Sequence, residues 1–400
     1  MVEALKISSI AYRGDGVARG ADGRVWFVPG VCDGETVLAE AVEVRKSFVR
    51  GRLVEVLDGA CPRVEHTPVP GCVYAHAAYD DELRWKRAQL LSFLSGAAKI
   101  ENAEGVLQKC FASPKHLNYR NKTTLRFAPP RKLGYVGEDN VSVEDLPQCP
   151  LAVPEINAAL AEYRREPEFW RWVAKEGGVV LRWTKKDGVV VVEKNREIGG
   201  QEGRGGQMLT ENLPALGDLH VPATGFFQVN PEVCDALVRH VAGMAAAADP
   251  RAVLDLYCGV GVFGLAAARA CGGRPEVYGC DTGGGVIRAA NMNARQYGLG
   301  ARANFRQTSA RGMLREAGAA GIFVVADPPR AGLEPEVARA LAENPPRTLV
   351  YVSCEPSTLA RDLRVLCDSG GMRVKSARMF DMFPRTAHFE TCAELEYYLQ

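Results

Sequence analysis

Ala252-Val253-Leu254-Asp255-Leu256-Tyr257-Cys258-Gly259-Val260-Gly261-Val262-Phe263-Gly264 decides the fold. An apolar run ends near a carboxylate, crosses a glycine-bearing loop and enters a helical pattern. Apolar runs at 276–280, 322–326 and 349–352 repeat the sequence of strand, loop and helix. From about residue 225 the expectation is a doubly wound, mostly parallel sheet.

Working outward, two other patterns precede it. Residues 1–57 hold short strand-like runs at 7–10, 24–28, 36–42 and 48–54, separated by turn signals such as Gly14-Asp15-Gly16 and Asp33-Gly34-Glu35. Strands at this spacing predict a small closed β-barrel of the OB-like kind. Arg13, Arg19, Arg45, Lys46, Arg50 and Arg52 either share one basic face of it or sit on ordinary solvated strand faces. Residues 58–224 begin with a Pro- and Cys-bearing loop and a helical run at 80–95. They then mix strand patterns (123–127, 179–183, 188–192) with a helix at 154–164, a central α+β domain. The fold class is therefore multidomain α/β, with residues 225–400 as a Rossmann-like domain.

The chain has 400 residues, 49 basic against 48 acidic, and a net charge of +1, so a nucleic-acid partner needs only a local basic face. No apolar stretch approaches a membrane span and no signal core follows Met1. We expect a cytoplasmic protein without a membrane or an obligate protein partner. Twelve cysteines in that compartment call for an explanation other than disulfides. For Cys234, Cys271, Cys280, Cys367 and Cys392 that explanation is a small buried side chain.

Gly259-x-Gly261-x-x-Gly264 fits a dinucleotide fingerprint, a weak signal by itself. Asp281 closes the next strand, where a carboxylate holds ribose hydroxyls. Asp255 inside the strand end, suited to orienting the loop and meeting a cationic amino acid, favours S-adenosylmethionine over a nicotinamide. So does Asp327-Pro328-Pro329, which suits an enzyme that modifies nucleobases. Cys354 follows a buried strand, and Glu390 closes a Pro-containing loop: a nucleophile and a proton acceptor at neighbouring strand ends.

These motifs resemble the bacterial RNA 5-methyluridine (uracil-C5) methyltransferases, particularly those acting on 23S rRNA. The resemblance covers nearly the whole chain. It rests on Tyr119-Arg120-Asn121-Lys122, Phe226-Phe227-Gln228-Val229-Asn230-Pro231, the 255–261 loop, Asp327-Pro328-Pro329-Arg330-Ala331-Gly332, Ser353-Cys354-Glu355-Pro356 and the run from Phe383-Pro384 to Glu390. It implies that residues 1–57 are a TRAM domain that binds RNA. It makes Cys354 the nucleophile that adds to carbon 6 of uracil and Glu390 the base that removes the carbon 5 proton, with His388 as a competing base. Gln228, Asp255, Tyr257, Gly259, Gly261, Asp281 and Asp327 would bind S-adenosylmethionine. Asp327, Gln228 and Arg330 would bind the substrate. Phe226, Phe227 and Tyr119 are either stacking faces or core. The helix that begins after Cys354 would favour a thiolate through its N-terminal dipole. A T-loop uridine of tRNA is the alternative substrate, and a non-catalytic RNA-binding protein the alternative class.

The chain departs from the family at Val262, where Asn is usual, at Asp281, commonly Glu, and at Ser309, often polar or acidic near the adenine. The rRNA-acting members often hold a 4Fe–4S cluster through a C-x5-C-G-G-C run and a distant cysteine. Pro70-Gly71-Cys72 resembles the end of that run and Cys149 the distant ligand, while Val69 replaces one cysteine and Cys61 lies at altered spacing. Cys61, Cys72 and Cys149 thus form an incomplete set that His66 would complete unless it is a surface residue. The expectation is an absent or labile cluster.

Overall fold

A computed structural model describes residues 1–65, 69–137, 139, 141–193, 207–368 and 371–398. The chain divides into two compact units: Met1–Ser92 with Phe383–Phe389, and Phe93–Met382 with Glu390–Gln400.

In the first unit, β1 (Val2–Lys6), β2 (Ser9–Ile10), β3 (Gly16–Arg19), β4 (Val25–Val28), β5 (Thr36–Val44) and β6 (Phe48–Asp58) form one sheet in the order β1-β5-β6-β4-β3-β2. β1 and β2 are the two edges, yet only Ile7 and Ser8 separate them. The Ile7 N–H donates to the Glu35 carbonyl (2.9 Å) and the Ser8 N–H to the Val17 carbonyl (2.8 Å). One bent strand therefore pairs with both margins and closes the barrel, so the 7–10 run is a bend followed by a short strand. Alternation along β3, β4 and β6 sends Ala18, Trp26, Val28 and Val49 inward. Outward, Arg45 and Arg50 pair with Glu43, and Arg52 with Glu40. These three exposed arginines thus share two carboxylates of the barrel.

The helix Tyr79–Ser92 adds Trp85 to this core. It also buries an ion pair: Lys86 Nζ lies 2.7 Å from Glu82 Oε1, with both side chains fully buried. The Arg385 N–H donates to the same carboxylate at 2.7 Å, and Lys86 donates to the Phe383 carbonyl at 3.3 Å. Segment 383–389 is thus held by buried charge. Cys61 is bonded to Cys32 (S–S 2.08 Å), which corrects the expectation that no cysteine pairs.

The second unit holds three sheets. β7 (Lys122–Ala128), β8 (Lys132–Val136), β9 (Val143–Asp145), β10 (Gly178–Thr184) and β11 (Gly188–Glu193) order as β11-β10-β7-β8-β9. The hairpin β12 (Met208–Leu213) and β13 (Gly217–Pro222) follows. The large sheet orders as β16-β15-β14-β17-β18-β20-β19, from β14 (Ala252–Leu256), β15 (Glu276–Asp281), β16 (Ala303–Gln307), β17 (Phe323–Ala326), β18 (Thr348–Ser353), β19 (Met372–Phe380) and β20 (Glu390–Tyr397). β14 to β18 pair in parallel with both faces buried, which explains their unbroken apolar runs. β20 enters antiparallel to both neighbours. Among the described residues no helix is long and apolar enough to cross a membrane.

Replacing Lys86 with Met should leave Glu82 buried beside less positive charge. We expect a loss of about 3–5 kcal/mol, read as a lower urea midpoint at unchanged slope.

Candidate active site

The glycine loop follows β14 with three residues in the left-handed region, Tyr257 (φ 60°), Gly259 (φ 52°) and Gly261 (φ 82°). A Cβ on Gly261 would come within 2.9 Å of the Phe305 ring, whereas one on Gly259 would meet nothing within 4 Å. Gly259 thus marks the open side of the loop. Asp255 is fully buried, and its Oδ2 accepts the Gly264 N–H at 2.8 Å while its Oδ1 has no partner. Burial, opposed by that hydrogen bond and reinforced by Asp327 and Asp281, pushes its carboxyl up to about 7. Asp281 spends both oxygens on the backbone, accepting from Gly259 (3.1 Å) and Gly283 (2.8 Å). It shapes the loop besides facing any ribose. The Tyr257 hydroxyl donates to Glu334. Ser309 caps the helix Ala310–Ala317, accepting from Gly312 at 3.1 Å.

Phe226–Pro231 lies in the same unit. Gln228 is buried, Phe226 is 68% exposed, and Phe227 is buried with the Arg182 guanidinium 5.8 Å from its ring centre. Of the three aromatic candidates, only Phe226 presents a large open face, since Tyr119 is also buried.

At the end of β18, the antiparallel ladder pairs Ser353 with Thr391. Cys354 follows that last pair on one side and Glu390 precedes it on the other, and the Glu390 charge acts on the Cys354 thiol. Asp327 comes just after β17, so three chemically active residues arrive from adjacent strands. Cys354 is half-buried. Burial first, then the Glu390 and Asp327 charges, push its thiol up to about 12, against Arg330, which lowers it. At the first turn of the helix Pro356–Asp368, the Glu355 carboxylate accepts from Ser357 Oγ (2.7 Å). Glu390 is buried with Oε2 unpartnered, and burial followed by Asp327 drives its carboxyl well up. Burial also pushes Asp327 up to about 7. Two neighbouring buried carboxyls of this kind titrate as a pair.

Several positioning residues escaped the sequence reading. Asp362, buried one helical turn and more into Pro356–Asp368, accepts from Tyr351 Oη and the Leu333 N–H, each at 2.8 Å, and from Arg361 Nε at 2.8 Å. Arg361 also donates to the Ala331 carbonyl at 2.9 Å, so the 327–333 loop is clamped. Gly332 (φ 77°) leaves no room for a side chain: a Cβ would lie 2.5 Å from Asp362 Oδ2. Asn293, fully buried, donates to the Val260 carbonyl (3.1 Å) and exchanges bonds with His220, fixing the glycine loop to β13. Polar residues facing inward on helices were the available signal.

Cys61 is used by Cys32, and Cys72 is half-buried in the same unit. Cys149 belongs to the other unit, buried 3.3 Å from the Tyr135 hydroxyl. His66 lies outside the described residues. These donors do not fit a four-thiolate cluster. His388 belongs to the first unit and Cys354 to the second.

Residues 313–397 match the tRNA (uracil-5-)-methyltransferase family, and residues 2–54 match the TRAM domain. The chain is 29% identical to an uncharacterised RNA methyltransferase of Thermosynechococcus vestitus, over 98% of this chain and 97% of that one. It is also 29% identical to one from Streptomyces coelicolor, over 98% and 92% respectively. Among solved structures, the Pyrococcus abyssi tRNA (uracil-54, C5)-methyltransferase in complex with S-adenosyl-L-homocysteine superposes with a TM-score of 0.74 at 26% identity. That match covers 98% of this chain and 100% of the other.

Two outcomes follow from the electrostatics. Alkylation of Cys354 by iodoacetamide, followed by peptide mass spectrometry, should quicken about tenfold per pH unit below its pKa. It should be slower in Arg330→Gln, which loses the lowering cation, and faster in Glu390→Gln. Asp255 and Asp327 bind protons more tightly folded than unfolded, moving from 3.8 to about 7. Their stabilisation is complete below about pH 4 and lost as pH rises through about 7. In Asp255→Asn, urea unfolding at about pH 5 and about pH 8 should show a smaller difference than in the parent.

Proposed function

We propose that the chain is an RNA methyltransferase of the uracil-5 kind that uses S-adenosylmethionine to methylate carbon 5 of a uridine in 23S rRNA through a covalent Cys354 adduct, acting in the cytoplasm. The observation that supports the reading is the β18–β20 pairing, whose last pair, Ser353 with Thr391, adjoins Cys354 and Glu390, with the Glu390 and Asp327 charges acting on the Cys354 thiol. In this reading residues 1–57 and 58–224 address the RNA, and residues 225–400 perform the chemistry.

The cofactor site fits an adenosyl amino acid. Asp255 keeps an orphaned buried oxygen, and Gly259 leaves the loop open on one side. Gln228, Asp255, Tyr257, Gly259, Gly261, Asp281 and Asp327 would hold the ligand, which supplies a methyl group made electrophilic by a sulfonium. Arg330 eases ionisation of the buried Cys354 thiol. Its sulfur bonds to carbon 6 of the uracil, and the displaced π electrons make carbon 5 nucleophilic. After methyl transfer, Glu390 takes the carbon 5 proton. Those electrons re-form the double bond and expel the sulfur. Burial and Asp327 raise the Glu390 carboxyl, which makes its carboxylate a stronger base for that proton. Asp327 and Gln228 would read the edge of a base flipped from loop RNA, and Phe226 supplies a stacking face.

A second reading, methylation of a T-loop uridine in tRNA, is favoured by the Pyrococcus enzyme. Its match runs through 98% of this chain, so the N-terminal barrel does not by itself separate rRNA from tRNA enzymes.

The protein with labelled S-adenosylmethionine and unmodified transcripts should place label in 23S rRNA as 5-methyluridine. Label in tRNA instead would retain the chemistry and reassign the substrate. Glu390→Gln should turn over ~10²–10⁴-fold more slowly and accumulate a denaturant-stable RNA adduct at Cys354. An inactive Glu390→Gln without adduct would remove Glu390 from the role of base.

A further inference from the structure

Arg120 carries a positive charge that the fold does not balance. Its side chain is half-buried, and among the described residues it forms no ion pair. Its Nε donates to the neighbouring Tyr119 hydroxyl at 3.3 Å, and its guanidinium carbon sits 5.8 Å from the centre of the Tyr119 ring. Burial works against its charge, the Tyr119 and Tyr135 phenols and the Cys149 thiol act in its favour, and the net shift of the guanidinium is upward. All three are neutral at pH 7, and the Tyr135 hydroxyl is engaged with Thr123 (2.6 Å) and Cys149 (3.3 Å). Arg182, fully buried in the same unit, shows the contrasting solution, an ion pair with Glu211 at 3.0 Å. Desolvating a cation without a carboxylate costs free energy unless a ligand supplies the missing anion.

The residue is also held rigidly at a telling place. Its N–H donates to the Leu151 carbonyl (2.8 Å) and its carbonyl accepts from Val153 (2.9 Å). The next residue, Asn121, donates its N–H to the Val229 carbonyl (3.0 Å) and its side chain to Glu211 (3.2 Å). Arg182, bound to that same Glu211, donates to the Gly225 carbonyl at 3.2 Å. One buried network therefore fixes Arg120 beside the segment that bears Phe226 and Gln228. We propose that Arg120 is a phosphate-binding residue of the RNA site, its guanidinium receiving a phosphodiester next to the nucleotide that Phe226 and Gln228 engage. Arginine suits this task because its planar fork matches two phosphate oxygens.

The proposal rests on the RNA methyltransferase reading, so its test separates the two. Arg120→Met and Arg120→Lys would be compared with the parent for binding of unmodified 23S rRNA and tRNA transcripts across a salt series. Affinity for S-adenosyl-L-homocysteine and thermal midpoint would be measured alongside. Arg120→Met should bind the preferred transcript roughly 10–100-fold more weakly at low salt. The slope of log affinity against log salt should fall by about 0.7–0.9, the value of one phosphate contact. Homocysteine-derivative binding should be unchanged and the thermal midpoint equal or higher, since an unbalanced charge has gone. Arg120→Lys should restore the slope but only part of the affinity. An unchanged slope, or a lowered midpoint with the parental slope, would overturn the proposal in favour of a structural arginine. Absence of 5-methyluridine with a reduced slope would defeat the uridine-methylation reading and leave the phosphate contact standing.

Discussion

The antiparallel pairing of β20 with β18 is the constraint on which the site depends. Parallel strands deliver their C-terminal ends to one edge of a sheet, which is how Asp255 near the end of β14, Asp327 just after β17 and Cys354 just after β18 come to lie at related positions. A base supplied from the start of a strand reaches that edge only if the strand runs the other way, as β20 does. Because side chains alternate, a slip of one residue would turn Glu390 to the opposite face. Pairing on both sides, with β18 and with β19, holds the register.

The same burial that fixes these residues makes them poor acids and poor nucleophiles at rest. Desolvation raises the Cys354 thiol and the Asp327 and Glu390 carboxyls, and Asp327 raises Glu390 further. Arg330 acts in the other direction on both Cys354 and Glu390. One cation on a loop thus opposes the whole buried cluster, which is why the clamp on that loop by Asp362 and Arg361 matters to the chemistry. Loop position converts directly into thiol ionisation.

Polar networks play a comparable part away from the reacting atoms. Asn121, Glu211 and Arg182 join β7, β10 and β12 to the segment carrying Gln228, and Asn293 joins β13 to the glycine loop. In the first unit, the Glu82–Lys86 pair holds the segment that runs directly into Glu390 along the chain. Each of these buried groups is costly unless satisfied, so each specifies a single arrangement of the backbone around it.

The sequence by itself determined the strand-and-helix alternation, the barrel strands at 24–28, 36–42 and 48–54, and the residue types of the site. Apolar runs, turn residues and rare motifs are local properties, legible wherever side chain type follows from burial or backbone geometry. It did not show β8, β9 or the β19–β20 hairpin, whose strands mix polar and apolar residues because tertiary pairing supports them. Nor did it show that Arg45, Arg50 and Arg52 meet acids on their own sheet, that Cys61 meets Cys32, or that Asp362 clamps a loop far from it along the chain. Only the tertiary structure brings burial, Glu390 and Asp327 to bear on the Cys354 thiol and raises it, with Arg330 acting against them. Ionisation is set by every charge and every solvent-excluding atom nearby in space, and that sum is not written in any one stretch of chain.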